Sequence, residues 1–382
     1  MADFPTLQDI VLAAKAKLPN ATWDFVTFGS ESETTVRRNR HALDSLAFRP
    51  RVLRDVMEID TTTNLLGVPL RIPVMMAPVG SLHLLDPGAA VTVARAAAEF
   101  GTMPIISGFA DPGFEQVAEA VKTPLAYALH PRADMAFMDD LVDRVKAHGY
   151  RAIVYVSEGA YYSRRERDLM SGIQTKAKRS RTYASYQQQL REERAKAPGK
   201  APSYEGLLGA GGTWALVDRI KSRSGLPLVL KGITTAEDAR LAAEHGVDVV
   251  YVSNHGGRSL DHARGTIQTL PEIKAAVGEK AKVIIDGGFV RGTDVLKAIS
   301  LGASAVCMGR MQAWAVAAGG QAGLVRALEI LEEEIIVNMG LLGVTKLEQL
   351  APSYVAPVEP VGPPHPLSAF PVALERISEG RN

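Results

Sequence analysis

Short apolar runs alternate with longer amphipathic stretches from about residue 74 to residue 309. The runs are VMMAPV (74–79), MPIIS (103–107), PLAYAL (124–129), AIVYVS (152–157), LPLVLK (226–231), DVVYVS (248–253), KVIIDG (282–287) and SAVCMG (304–309). Each has the length of a strand buried on both faces, as a parallel sheet requires. Between them, GAAVTVARAAAEFG, TAEDARLAAEHG and GTDVLKAISLG read as helices, each closing on a glycine suited to a helix C-terminus. This alternation implies βαβ crossovers, and eight such units closing on themselves make a (β/α)8 TIM barrel. An open doubly wound sheet is the competing α/β arrangement. It would carry GxGxxG after its first strand, and MAPVGSLH does not fit that pattern.

The rhythm breaks once, over residues 158–225. The middle of that interval, KAKRSRTYASYQQQLREERAKAPGKAP, is polar, basic and poor in large aliphatics, so a long mobile loop over about 163–210 is expected above the barrel. A basic arm for an acidic lipid or partner is the alternative to a plain solvated charge run. The N-terminal MADFPTLQDIVLAAKAKL reads as a short amphipathic helix and not as a secretory signal. From residue 351 the chain turns Pro-rich (APSYVAPVEPVGPPHPLSAFP), which predicts an extended tail lying on a neighbouring subunit. The expected plan is one barrel domain over 1–350 and a tail over 351–382.

Composition narrows the function. The 382 residues are 46% hydrophobic, enough for a sizeable core, and 43 basic residues balance 42 acidic ones. No global field draws the chain to nucleic acid or to an anionic membrane, so an anionic ligand must be held by local groups. The single cysteine, Cys307, excludes internal disulfides and a multi-cysteine metal site and suits a reducing compartment, the cytoplasm. No metal is expected, and the expected partner is a small molecule. No window reaches about 18 uninterrupted apolar residues.

In such a barrel the chemistry lies at the C-terminal ends of the strands. DGGFVRG after the seventh run and MGR after the eighth supply glycine-rich turns suited to a phosphate. Lys231 ends the fifth run inside VLKG; it could form a Schiff base, stabilise a developing anion, or simply snorkel. His255 and Arg258 share the loop in YVSNHGGRSLD, an imidazole able to accept a proton beside a guanidinium fork for a carboxylate or carbonyl. Glu158, past the fourth run, could orient and balance the protonated ring. Arg164 and Arg165 in SRRERD could close over the site as a second anion clamp or form an ordinary basic loop.

Together SNHGGRSLD, VLKGITTAEDARLA and DGGFVRGTDVLKAISLGASAVCMGR resemble the FMN-dependent α-hydroxy-acid oxidase and dehydrogenase family, with LPNATWDFVTFGSESETTVRRNR, FRPRVL and MMAPVG extending the likeness over about residues 5–350. The resemblance implies FMN as cofactor, oxidation of an α-hydroxy acid to its α-keto product, and a homotetramer. It makes His255 the base, Arg258 the carboxylate grip with Arg165 assisting, and Lys231 the cation beside the flavin pyrimidine. It places Pro78, Val79 and Gly80 on the far face of the ring and Ser107 and Ser253 on the ring or ribityl chain. Asp286, Gly287, Gly288, Arg291, Gly309 and Arg310 would hold ribityl and phosphate, and Glu158 stands where the family has an aspartate partner to the histidine. The oxidant is left open among oxygen, a quinone and a carrier protein.

The chain also departs from the family pattern. Phe25 and His130 stand where substrate-binding tyrosines are expected, Val156 replaces a flavin-contacting threonine, and Val290 replaces the first arginine after DGG. Losing a donor to a charged group costs about 1.5–3 kcal/mol. A bulkier or neutral substrate, such as a lactone, ester or amide, is therefore expected. The rival readings are a Lys231 Schiff-base aldolase or lyase and a catalytically retired flavoprotein.

Overall fold

In the computed structural model, which describes residues 4–132, 134–173 and 212–380, the chain opens with a capped helix, α1 (Leu7–Lys17). The Thr6 side chain accepts from the Asp9 amide and Asp9 returns the bond, while Leu7, Ile10, Val11 and Ala14 form one buried face. Helices α2 (Asn20–Thr27) and α3 (Thr34–Asp44) follow, then β1 (Leu46–Phe48) and the antiparallel hairpin β2 (Thr63–Leu65) and β3 (Val68–Leu70).

Eight parallel strands then form one sheet: β4 (Val74–Met76), β5 (Ile105–Ser107), β6 (Ala126–Leu129), β7 (Ala152–Val156), β8 (Leu228–Ile233), β9 (Val249–Val252), β10 (Lys282–Ile285) and β11 (Ala305–Met308). Each lies where an apolar run predicted it. Neighbours follow chain order, β11 pairs with β4, and a Met76–Pro104 bridge draws β4 to β5, so the barrel is nearly closed. Alternate residues point to two different cores. Met75, Ile105, Ala126, Ala128, Ala152, Val154, Val229, Val249, Tyr251, Ile284, Ala305 and Cys307 fill the interior, and Leu65, Val68 and Leu70 of the hairpin join the same cluster. The intervening residues, among them Ile153, Leu228, Leu230, Val250 and Ile285, pack on the surrounding helices. Small alanines make room for Tyr251 and the methionines inside.

The helices after the strands are α4 (Ala89–Phe100), α5 (Phe114–Ala120), α6 (Met135–Ala147), α7 (Glu166–Ser171), α8 (Trp214–Ser224), α9 (Ala236–Glu244), α10 (Thr266–Val277), α11 (Gly292–Ser300) and α12 (Arg310–Leu342), the last broken at Gly319-Gly320. No helix among the described residues is long and apolar enough to cross a membrane. Of the polar excursion, residues 163–173 carry α7, whose Arg167 pairs with Glu33 at 2.5 Å and lies over the Phe28 ring; residues 174–211 are outside the described residues.

The Pro-rich tail does not reach away from the body. Strand β12 (Val355–Pro357) pairs antiparallel with β1, and α13 (Pro371–Ser378) packs on α1. Leu367 and Phe370 are fully buried, Phe370 edge-on to Trp314, and Ser368 donates to Asp44 at 2.6 Å. Two large apolar side chains in a proline-rich stretch are enough to fasten it to its own barrel.

Candidate active site

Beyond the end of β9 the backbone turns left-handed for three residues in succession: His255 (φ 56°), Gly256 (φ 63°) and Gly257 (φ 75°). For histidine this conformation costs about 1–2 kcal/mol, so the surroundings must hold it. The Ser253 hydroxyl accepts the His255 amide at 3.1 Å, and the Asn254 carboxamide accepts the Gly257 amide at 3.2 Å. Asn254 and Asn39 of α3 exchange two amide bonds at 3.0 and 2.8 Å. A Cβ on Gly257 would stand 2.5 Å from the Val36 nitrogen, and one on Gly256 would stand 2.8 Å from Arg310 Nη1. The two glycines thus let α3 and a buried arginine close on the loop. Asp261 ends the motif for a related reason. It accepts from the Thr35 amide at 2.7 Å and the Ser32 hydroxyl at 2.8 Å, capping α3 beside the loop.

His255, Lys231 and Glu158 meet at the barrel mouth. Lys231 ends the regular part of β8 and pairs with Glu158 Oε1, and the same oxygen lies 3.0 Å from His255 Nδ1. A carboxylate only accepts, so Nδ1 carries the proton and Nε2 keeps its lone pair. Burial and the Lys231 charge hold the His255 pKa below 6.5 against the opposing pull of Glu158. For Lys231, burial is outweighed by Glu158 and Asp286, which keep it above its usual 10.5. For Glu158, too, burial is outweighed, by Lys231 and His255, and it stays ionised. The protonated, ion-paired Lys231 lacks the free amine that a Schiff base requires.

Three guanidinium groups complete the cationic side. Arg258 donates to the Phe25 and Phe28 carbonyls and lies 4.9 Å from the Phe25 ring centre. Arg165 donates to the Arg258 carbonyl at 3.1 and 3.2 Å and sits over Tyr162. Arg310 donates to the carbonyls of Thr27, Gly256 and Phe28, and burial pushes its pKa down to about 10. Arg165 is 9% exposed and already lies inside, not on an open loop. Arg291 does not join them: it pairs with Glu334 at 2.6 Å, near the Phe370 ring. Val290 is buried, its amide bonded to Asp294 at 3.0 Å.

Asp286 accepts from Ser253 at 2.7 Å and from the buried Tyr251 hydroxyl at 2.8 Å. Ser107, at the tip of β5, accepts the Phe109 amide at 3.2 Å. His130 lies just past β6 with its ring 4.3 Å from that of Phe109; burial pushes its pKa to about 3, so it is neutral. Pro78, Val79 and Gly80 follow β4 and are half-buried, while Gly287 and Gly288 take positive φ after β10 and Gly309 leads into α12. Local sequence gave no sign of Asn39, Phe109 or Tyr251 at this site. Asn254 and Asp261 stood inside the histidine motif, where their roles were open to reading.

The fit to a polar planar ring is testable on atoms present. Among the described residues, His130 Nδ1, Glu158 Oε2 and Gln312 Oε1 are buried without a hydrogen-bond partner, and they follow β6, β7 and β11 around the same mouth. A buried polar atom left unpaired costs about 1–3 kcal/mol, so a ligand rich in donors and acceptors suits this rim. A family model described as FMN-dependent dehydrogenase matches residues 14–357.

The chain belongs to the FMN-dependent dehydrogenase family.

Glycolate oxidase of Spinacia oleracea is 34% identical over 343 residues, covering 90% of this chain and 93% of that protein. L-lactate oxidase of Nostoc sp. (strain PCC 7120 / SAG 25.82 / UTEX 2576) is 35% identical over 349 residues, covering 90% and 95%. A solved structure of mandelate oxidase with (S)-2-phenylpropionate superposes with a TM-score of 0.81 at 33% identity, covering 94% of this chain and 100% of that one. The family's cofactor is FMN, and the chain is an FMN-dependent oxidoreductase acting on CH–OH donors.

Proposed function

We propose that this FMN-dependent dehydrogenase oxidises an α-hydroxy acid with a bulky, aryl-sized side chain to the α-keto acid, with His255 as base. The observation that carries the reading is the imidazole held on Glu158 through Nδ1, leaving a neutral Nε2 on the substrate side among the buried Lys231 and Arg165 and the half-buried Arg258 and Arg310. Bound FMN supplies a two-electron acceptor for the hydride equivalent. His255 Nε2 takes the hydroxyl proton, Arg258 and Arg165 bind the carboxylate, and Lys231 places a positive charge next to the flavin pyrimidine. Pro78, Val79 and Gly80 back the ring, and Ser107 and Ser253 bind it or the ribityl chain. Asp286, Gly287, Gly288, Gly309 and Arg310 serve ribityl and phosphate.

Phe25 and His130 bring no phenol to the substrate. Phe109, 46% exposed and tilted on His130, offers an aromatic wall instead. These features, together with the likeness to mandelate oxidase, support the bulky side chain. A second reading, a neutral ester or lactone, is favoured by the same Phe25 and His130, which offer no phenol donor to a substrate carboxylate. The test is anaerobic bleaching of the yellow holoenzyme with lactate, mandelate, methyl mandelate and a hydroxy-lactone, followed by reoxidation with oxygen, a quinone and a carrier protein. Fastest bleaching by mandelate supports the first reading, and by the ester or lactone the second; preference for lactate defeats both. A His255→Ala variant that keeps FMN and full turnover would leave the base assignment without support, and a wild-type holoenzyme bleached by none of these substrates would revive a retired site.

Self-association is supported by an apolar face formed by Val52, Leu53, Met57, Val337 and Leu341, of which Leu53 and Met57 are almost fully exposed. A tetramer is the state proposed, tested by light scattering with Leu53→Glu. The buried Cys307 thiol fits a reducing compartment such as the cytoplasm.

A further inference from the structure

Glu158 does more than orient the histidine. Its single oxygen Oε1 takes the Lys231 ammonium and also faces His255 Nδ1, while Oε2 is buried without a partner among the described residues. The carboxylate is 9% exposed and Lys231 4%, so little solvent screens that ion pair, while the His255 side chain, 32% exposed, opens toward the mouth. What seats the carboxylate there is a break in β8. The pairing of β8 with β9 shifts register between Lys231 and Ile233, and Gly232, in the break, has φ +109°. Ser157 donates to the Lys231 carbonyl through both amide (2.9 Å) and hydroxyl (2.7 Å), which ties the tip of β7 to this bulge. A Cβ on Gly232 would stand 2.5 Å from Glu158 Oε2 and 2.9 Å from Glu158 Cβ. Only glycine leaves the space that the carboxylate fills.

We propose that Glu158 couples the substrate-side base to the flavin-side cation through one shared oxygen, and that Gly232 is the positioning residue that seats it. The inference rests on the roles given above to His255 and Lys231. An anionic charge developing beside Lys231 competes with Glu158 for the ammonium. It thereby releases the carboxylate to the imidazolium that forms as His255 accepts its proton. Proton acceptance on one side and charge development on the other then favour each other through the one carboxylate that touches both His255 and Lys231.

The charged and titratable neighbours set the signs. His255 faces Lys231, Glu158, Arg165 and His130; Lys231 faces Glu158, Asp286, Cys307 and Tyr251. Removing the anion disfavours the imidazolium, and removing the ammonium favours it. The test is the His255 titration by NMR of isotope-labelled histidine in the FMN-loaded protein, with its signal assigned from His255→Asn. Glu158→Gln should lower the His255 pKa and Lys231→Met should raise it, each by about one unit, tenfold in proton affinity. Gly232→Ala should reproduce the direction of Glu158→Gln with Lys231 and Glu158 intact. Glu158→Asp, a methylene shorter, should recover a wild-type-like pKa only in part. Shifts of the same sign in Glu158→Gln and Lys231→Met, or an unmoved His255 in Gly232→Ala, would overturn the coupling. Wild-type protein that takes up no FMN would instead strike the functional reading. The same titrations on the FMN-free protein would still decide whether the oxygen is shared.

Discussion

Replacing Asp261 by asparagine tests whether the end of the histidine motif holds the N-terminal segment on the barrel. Burial raises the Asp261 pKa, but the Thr35 amide, the Ser32 hydroxyl and the His262 and Thr34 amides outweigh it, leaving a folded value of about 2 against 3.8 unfolded. That difference of roughly two units corresponds to about 2.5 kcal/mol at 1.36 kcal/mol per unit. With the carboxylate at the rim, 5% exposed, part of this is screened, and about 2 kcal/mol is the working figure. Asparagine keeps the shape but turns an NH2 toward one of the donors, so the loss should approach the full amount. The folded pKa is depressed, so this stability is complete above the unfolded pKa and is lost as pH falls through about 2. Urea unfolding of the holoprotein at saturating FMN should show Asp261→Asn less stable by about 2 kcal/mol, with the same gap at pH 7 and pH 5. Coincident midpoints, or a gap that closes already between pH 7 and 5, would refute the assignment.

Burial and the Lys231 charge lower the His255 pKa, so the acid limb of kcat/KM should have its midpoint below pH 6.5; a midpoint at or above 6.5 would contradict the burial argument. The double change Phe25→Tyr with His130→Tyr restores two phenol donors. It should shift kcat/KM for lactate relative to mandelate upward by about tenfold or more, measured by steady-state kinetics. Arg40→Met removes the buried partner of Asp294 (2.7 Å) and Asp44 (2.6 Å). It should destabilise by about 3–5 kcal/mol in urea unfolding and expose the segment after residue 351 to limited proteolysis. An aryl monocarboxylate bound between Arg165 and Arg258 sets an anion beside His255 and raises its pKa, so at a pH just above that pKa binding should draw a proton onto the imidazole, seen as buffer-dependent binding heat, whereas its primary amide should not.

The eight barrel strands could be read from sequence because a strand buried on both faces is apolar at every position, whatever its partner. Their ends were less legible. LPLVLK suggests a stop at Lys231, yet β8 continues to Ile233 through a register shift against β9, with Ser157, just past β7, bonded to the Lys231 carbonyl, which no local pattern encodes. The tail illustrates the opposite failure: proline content argued for an extended arm, but Leu367 and Phe370 decide its position by burial. Among the site residues, those on strand tips and in glycine turns could be placed because the barrel fixes where a strand ends. Arg291 lies in such a turn, yet Glu334 of α12 draws its guanidinium elsewhere, a choice made by a residue far along the chain. Asn39 and Ser30 are similarly remote from the loop they hold, and their types carry no signal until α3 is docked.

The cationic mouth gains its meaning from what surrounds it. Carbonyl oxygens of Phe25, Thr27, Phe28, Gly256 and Arg258 accept from Arg165, Arg258 and Arg310, and such dipoles solvate a cation without cancelling its charge. Glu158 answers Lys231, Asp286 and Glu33 offset the charge of Arg310 and Asp168 that of Arg258, yet burial and the repulsion among the arginines outweigh them. That mutual repulsion, added to burial, depresses the Arg258 pKa. A fold retains such a repulsive group at a cost to stability, and an anionic ligand placed among them relieves it. The N-terminal segment therefore serves the site through its backbone. Its carbonyls at Phe25, Thr27 and Phe28 keep Arg258 and Arg310 ordered and hydrogen-bonded without neutralising them, which suits the anionic substrate proposed above.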